Sequence, residues 1–164
     1  MWSEKPVQQI LDKKTAHKKA ESYCAYQERS QQEVRDKLYS FGLHSAEVEQ
    51  LISELIQDNF LNEERFAYAY ALGKFRIKHW GRFKIKQGLK LKRVGDNLIK
   101  KALAKIDSEE YDKTLTSLLE KKAALLKDKD EYSRKHKLVQ YAMSRGFERD
   151  LIFDSLKSSG LFKN

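Results

Sequence analysis

Ser30-Gln31-Gln32-Glu33-Val34-Arg35-Asp36-Lys37-Leu38-Tyr39-Ser40-Phe41-Gly42 reads as one short helix with both ends written into the chain. In a Ser-x-x-Glu box the hydroxyl accepts the fourth residue's amide, whose carboxylate reaches back to the first amide, so two orphan donors are satisfied. Val34, Leu38 and Phe41 follow at helical spacing, and Gly42 suits the left-handed residue that closes a helix. Ser45 is the candidate cap of a second helix with the apolar stripe Val48, Leu51, Ile52, Leu55 and Ile56, ending at the turn residues Asp58-Asn59. Asn62 then precedes Glu63 and Glu64, acids suited to the positive end of a third helix whose inward side is Phe66, Ala67, Tyr70 and Ala71.

This unit recurs. A shift of 51 places Val34 on Ile85, Leu38 on Leu89, Leu43 on Val94, Ser45 on Asp96, Val48 on Ile99 and Ile52 on Leu103. A further 53 reaches Leu138, Ala142, Phe147, Arg149, Ile152 and Leu156. After Ser108, Glu109 and Glu110 open another helix, with Tyr111, Leu115, Leu118 and Leu119 inward. Asp130 to Arg145, closed by Gly146, and Glu148 to Leu156, before Gly160, supply the last two. The reading is all-α: three tandem three-helix modules, the last incomplete, in an elongated, curved array. Its boundaries are a lead-in over 1–22, a first module over 23–79, a second, basic module over 80–128 and a third over 129–164.

One stretch reads two ways. Lys74-Phe75-Arg76-Ile77-Lys78 and Arg82-Phe83-Lys84-Ile85-Lys86 alternate polar and apolar around His79-Trp80-Gly81, which is also the pattern of a basic β-hairpin. The repeat register requires helix here, and helix is the reading; a β-ribbon is the alternative, itself compatible with DNA binding.

Composition narrows the function. With 35% charged and 40% hydrophobic residues and a single proline, the chain suits exposed helices around a thin core. Thirty-three Lys and Arg face 24 Asp and Glu, giving +9. Between residues 74 and 105 stand Lys74, Arg76, Lys78, Arg82, Lys84, Lys86, Lys90, Lys92, Arg93, Lys100, Lys101 and Lys105 against the single acid Asp96. That segment carries +11, and the remainder, with 21 bases and 23 acids, −2. A solvated face usually mixes signs, so this bias points to a polyanion.

Cys24 is the only cysteine, which excludes an internal disulfide or a multi-thiolate metal site and fits the cytoplasm. The longest apolar run, Phe66 to Leu72, is too short to span a bilayer, and Met1-Trp2-Ser3-Glu4-Lys5 leads into no signal-peptide core. His17, His44, His79 and His136 show no ligand spacing, and adjacent Glu63 and Glu64 point apart on a helix. No enzyme, metal site or cofactor is expected.

Three motifs carry a family resemblance: Arg29-Ser30-Gln31-Gln32-Glu33-Val34-Arg35-Asp36-Lys37-Leu38, Asn59-Phe60-Leu61-Asn62-Glu63-Glu64-Arg65-Phe66-Ala67, and Leu138-Val139-Gln140-Tyr141-Ala142-Met143-Ser144-Arg145-Gly146-Phe147. In this order and spacing, over Tyr23 to Leu156, they resemble the RecX family. The resemblance implies a curved, three-module helical protein that lies in the groove of the RecA–DNA filament, bridges neighbouring subunits and inhibits strand exchange, ATP hydrolysis and co-protease activity. It would place the chain in homologous recombination, DNA repair and the SOS response. Asn62 stands where the family commonly has an acid, and Arg93 where its middle module commonly has glycine.

The site candidates follow from these readings. Arg82, Lys86, Lys90 and Arg93 would share one helical stripe of roughly 80°. Phe75, Trp80 and Phe83 interleave with the bases and could stack on nucleobases; regular spacing favours burial of Phe75 and Phe83, leaving Trp80, beside Gly81, as the exposed ring. Tyr68, two residues from inward Tyr70, is a candidate partner contact. Gly42, Gly81 and Gly146 take backbone roles. The expected partners of this monomer are the RecA filament and DNA, single-stranded foremost and also double-stranded, with no membrane. A general DNA-binding helical-repeat protein, and a scaffold for an acidic protein, are the alternatives.

Overall fold

Paired start and stop signals produce nine helices and no strand among residues 10–162, which the computed structural model describes. They are α1 (Lys13–Tyr26), α2 (Gln31–Ser40), α3 (Ser45–Gln57), α4 (Glu63–Lys78), α5 (Arg82–Leu91), α6 (Asp96–Ala104), α7 (Ser108–Leu125), α8 (Glu131–Ser144) and α9 (Arg149–Ser158). Met1 to Lys5, read above for a leader, and the ends of the lead-in and of the third module lie outside the described residues. The β-ribbon alternative is overturned: α4 runs to Lys78 and α5 starts at Arg82. Among the described residues two compact units result, one reaching to Ala67 and taking in Lys92–Val94, the other made of Tyr68–Leu91 and the chain from Gly95 onward.

In the first unit α1 packs on both α2 and α3. Ala16 and Ala20 bring it close, and Val34, Leu38, Val48, Leu51, Leu55 and Leu61 complete the core. Each such Val, Leu or Ile contributes about 1.5–3 kcal/mol by leaving water. The box at the start of α2 forms as read, the Glu33 amide donating to Ser30 Oγ at 3.0 Å and the Ser30 amide to the Glu33 carboxylate at 3.4 Å. Glu63, at the start of α4, accepts the Gln31 amide at 2.8 Å. Cys24 is buried, and burial pushes its thiol up to about 11, so it stays protonated and inert at neutral pH.

In the second unit the core is built on α7. Tyr111, Leu115 and Leu119 are buried, and the Tyr111 ring lies 5.6 Å from that of Phe75 and 5.0 Å from that of Phe147. Ile85 and Leu89 of α5, Leu138 and Ala142 of α8 and Ile152 of α9 are fully enclosed.

The repeat register survives as burial. Val34, Ile85 and Leu138 are all 0% exposed, as are Leu38, Leu89 and Ala142. Leu43, Val94 and Phe147 are buried directly after residues with φ of +87° (Gly42), +59° (Arg93) and +96° (Gly146). The left-handed turn is therefore kept in all three repeats, and the middle one forces an arginine into it. Asn62 serves its turn as well, its Oδ1 accepting the Arg65 amide at 2.9 Å. Two expectations fail. Ser45 is the first helical residue of α3, not its cap; His44 holds the extended cap position without a side-chain bond. Ile56, assigned to the inward stripe, is 44% exposed, because the stripe drifts outward by the last turn.

Gly146 has a second constraint, since a Cβ there would collide with the backbone and Cβ of Lys84. Replacing Gly146 with alanine is expected to cost about 2 kcal/mol or more, read as a lower denaturation midpoint. Arg93→Gly, by contrast, relieves the left-handed strain of about 1–2 kcal/mol against about 0.4–1 kcal/mol of extra unfolded-chain entropy. It should raise the melting temperature by roughly 2–3 °C.

Candidate nucleic-acid interface

The twelve bases of residues 74–105 do not form one face. Arg82, at the start of α5, is half-buried: its guanidinium lies 3.8 Å from the Tyr111 ring centroid and 2.7 Å from the Glu148 carboxylate. The Tyr111 hydroxyl accepts the Arg82 amide at 3.0 Å and donates to Glu148. Burial, and then the Glu148 carboxylate, push the phenol well above its ordinary value, so it remains a donor. Arg76 pairs with Glu110 at 3.2 Å, and Lys92 approaches Glu33 at 3.9 Å. Arg93 leaves the helix in its left-handed turn. The stripe expected from Arg82, Lys86, Lys90 and Arg93 is thus reduced to Lys86 and Lys90, since Arg82 is bound internally and Arg93 lies beyond α5.

A different trio replaces it. Lys86 and Lys90 of α5 and Lys100 of α6 line the groove between the two helices, over Ile99 and Leu103, with Asp96 at its edge. All three lysines are exposed, and no ion pair engages them among the described residues. Lys78, Lys101 and Lys105 are also exposed, Lys105 with its ammonium 5.2 Å from the half-buried Tyr68 ring. Tyr68 is therefore engaged within the chain rather than idle on its surface.

The aromatics divide differently from the expectation. Phe75 is buried at 1%, but Phe83 is 57% exposed, because it stands two residues before buried Ile85 and so off the inward side of α5. Trp80, expected to be open, is half-buried, its ring flanked by the ammonium groups of Lys74 and Lys84 at 5.0 and 4.7 Å. The exposed ring beside the lysine groove is Phe83, not Trp80.

Among the described residues no group of three or more His, Cys, Asp or Glu could hold a metal ion, and no helix is long and apolar enough to cross a membrane. The chain matches three family models, described as the first, second and third three-helix domains of RecX, over residues 16–55, 62–103 and 109–156. It belongs to the RecX family. It is 36% identical over 124 residues to the regulatory protein RecX of Clostridium perfringens, covering 74% of this chain and 58% of that one. It is 32% identical to that of Prosthecochloris aestuarii, covering 88% and 93%. The chain spans just over half the length of its clostridial and Bacillus relatives. The crystal structure of RecX from Lactobacillus salivarius superposes with a TM-score of 0.83 at 25% identity, covering 92% of this chain and 97% of that one.

The RecX domains open on α1, α4 and α7, whereas the repeat read from sequence opens its modules on α2, α5 and α8. Shifts of 51 and 53 fit either frame, because a repeat has a period but no marked start. In the family's frame the third domain also holds three helices. The Arg82–Tyr111–Glu148 cluster escaped the sequence reading. Its members lie up to 66 residues apart, and no local pattern marks Tyr111 as more than a core ring. Tyr111→Phe removes a bond to a charged, mostly buried carboxylate and should cost about 1.5–3 kcal/mol of stability, measured by denaturant unfolding.

Proposed function

We propose that this RecX-family chain modulates the RecA recombinase, lodging in the groove of its filament on DNA and inhibiting strand exchange, ATP hydrolysis and co-protease activity. It acts in the cytoplasm as a monomer and without catalysis of its own, within homologous recombination, DNA repair and the SOS response. The observation that carries the reading is the groove between α5 and α6, where three lysines that enter no ion pair among the described residues stand together. A filament groove exposes phosphates, and each lysine that displaces condensed counterions gains affinity in a salt-dependent way. Family membership supplies the recombinase as the carrier of that DNA.

The test is RecA-catalysed ATP hydrolysis on single-stranded DNA with rising, substoichiometric protein, beside a titration of naked DNA. Inhibition well below DNA saturation is the expected result. An effect appearing only once naked DNA is coated would favour a general DNA-binding protein, and no DNA binding at low salt would favour a scaffold for an acidic protein.

Lys86→Glu, Lys90→Glu and Lys100→Glu together should flatten the salt dependence of naked single-strand binding by about 2 units, at about 0.7 for each phosphate no longer neutralised. An unchanged slope would remove the α5/α6 groove from the interface.

A further inference from the structure

The repeat makes three grooves comparable residue by residue. Arg35, Tyr39, Ser45 and Glu49 of α2 and α3 correspond to Lys86, Lys90, Asp96 and Lys100 of α5 and α6, and these to Val139, Met143, Arg149 and Phe153 of α8 and α9. The first groove is bridged from within: Arg35 donates twice to Glu49, at 2.7 and 3.2 Å. The second carries the open lysines. The third is apolar where the second is cationic.

Val139 floors the α8/α9 groove at 6% exposure, Met143 stands 42% exposed above it, and Tyr132 is 77% exposed at the rim. Lys135 and Arg149 lie over the Phe153 ring at 5.8 and 5.5 Å, and among the described residues no carboxylate lines the groove. An exposed methionine beside rings adapts to an inserted apolar side chain. The two cations offer partners to carboxylates flanking that side chain. A nucleobase is served less well inside the groove, because cations already lie over Phe153 and the open ring, Tyr132, stands only at the rim.

We propose that the α8/α9 groove is a protein-docking groove that takes an apolar side chain flanked by carboxylates. Resting on the function proposed above, its occupant is a surface segment of a recombinase subunit, so that the second module faces the DNA of the filament and the third faces its protein.

A photo-crosslinking p-benzoylphenylalanine at position 143 of the full chain, added to recombinase filaments on single-stranded DNA, tests this directly. Adducts are expected on a recombinase peptide containing Asp or Glu. Met143→Asn, a neutral change at an exposed position, is expected to raise the concentration giving half-maximal inhibition of ATP hydrolysis by about tenfold, with naked-DNA affinity within about twofold and an unchanged melting curve. Adducts on DNA, adducts on a second copy of this chain, or no adduct from a variant that still inhibits would each overturn the inference, as would an unaltered half-point for Met143→Asn. A wild-type chain without effect on the recombinase would instead overturn the functional reading itself, which keeps the two failures distinct.

Discussion

The first turn of α5 depends on hydrogen bonds from elsewhere in the chain. The Gly81 amide donates to the Arg145 carbonyl at 2.8 Å, the Phe83 amide to the Gly146 carbonyl at 3.0 Å, and the Arg82 amide to the Tyr111 hydroxyl. A helix start leaves its first amides orphaned, and here the end of α8 and the side chain of α7 satisfy them. Neither glycine tolerates a Cβ, since one on Gly81 would meet the Gly146 carbonyl and one on Gly146 would meet Lys84. This backbone seam fixes α5 against α8, and with it the positions from which the α5 lysines and the α8 groove residues project.

The same seam decides which charges are available. Arg82 is drawn onto Tyr111 and Glu148 because a half-buried guanidinium needs both a carboxylate and a surface for its flat face. Glu148 is the N-cap residue of α9, and its carboxylate serves Arg82 and Tyr111 without bonding the helix's own amides. Later in α5 Lys84 lies over the Trp80 ring, while Lys86 and Lys90 are exposed and enter no ion pair among the described residues. A run of like charges is thereby sorted into bases held by carboxylates or aromatic rings of the chain and bases left open.

The repeats show how a module diverges without losing its fold. Positions that bury their side chains keep apolar character, and the left-handed turn is preserved even where arginine occupies it. Groove positions differ more widely, from an internal ion pair in the first repeat to exposed lysines in the second and to valine, methionine and phenylalanine in the third. Packing tolerates only side chains of similar shape, whereas a solvent-facing groove accepts any chemistry its partner favours.

The sequence by itself determined the helices that carry their own ends. Ser30 with Glu33, Asn62, Gly42 and Gly146 act on neighbours within a few residues, so local patterning was enough, and the 51- and 53-residue shifts then located the core. It misjudged what depends on distant partners. The segment around Trp80-Gly81 resembled a hairpin because polar and apolar residues alternate on both sides of it, while the groups that satisfy the first amides of α5 come from residues 111, 145 and 146. Arg82 could not be separated from Lys86 by charge alone, nor Phe83 from Phe75 by spacing. Only the tertiary structure decided which base meets a carboxylate 66 residues away and which ring is left in water, because burial and ion pairing belong to surfaces brought together by folding.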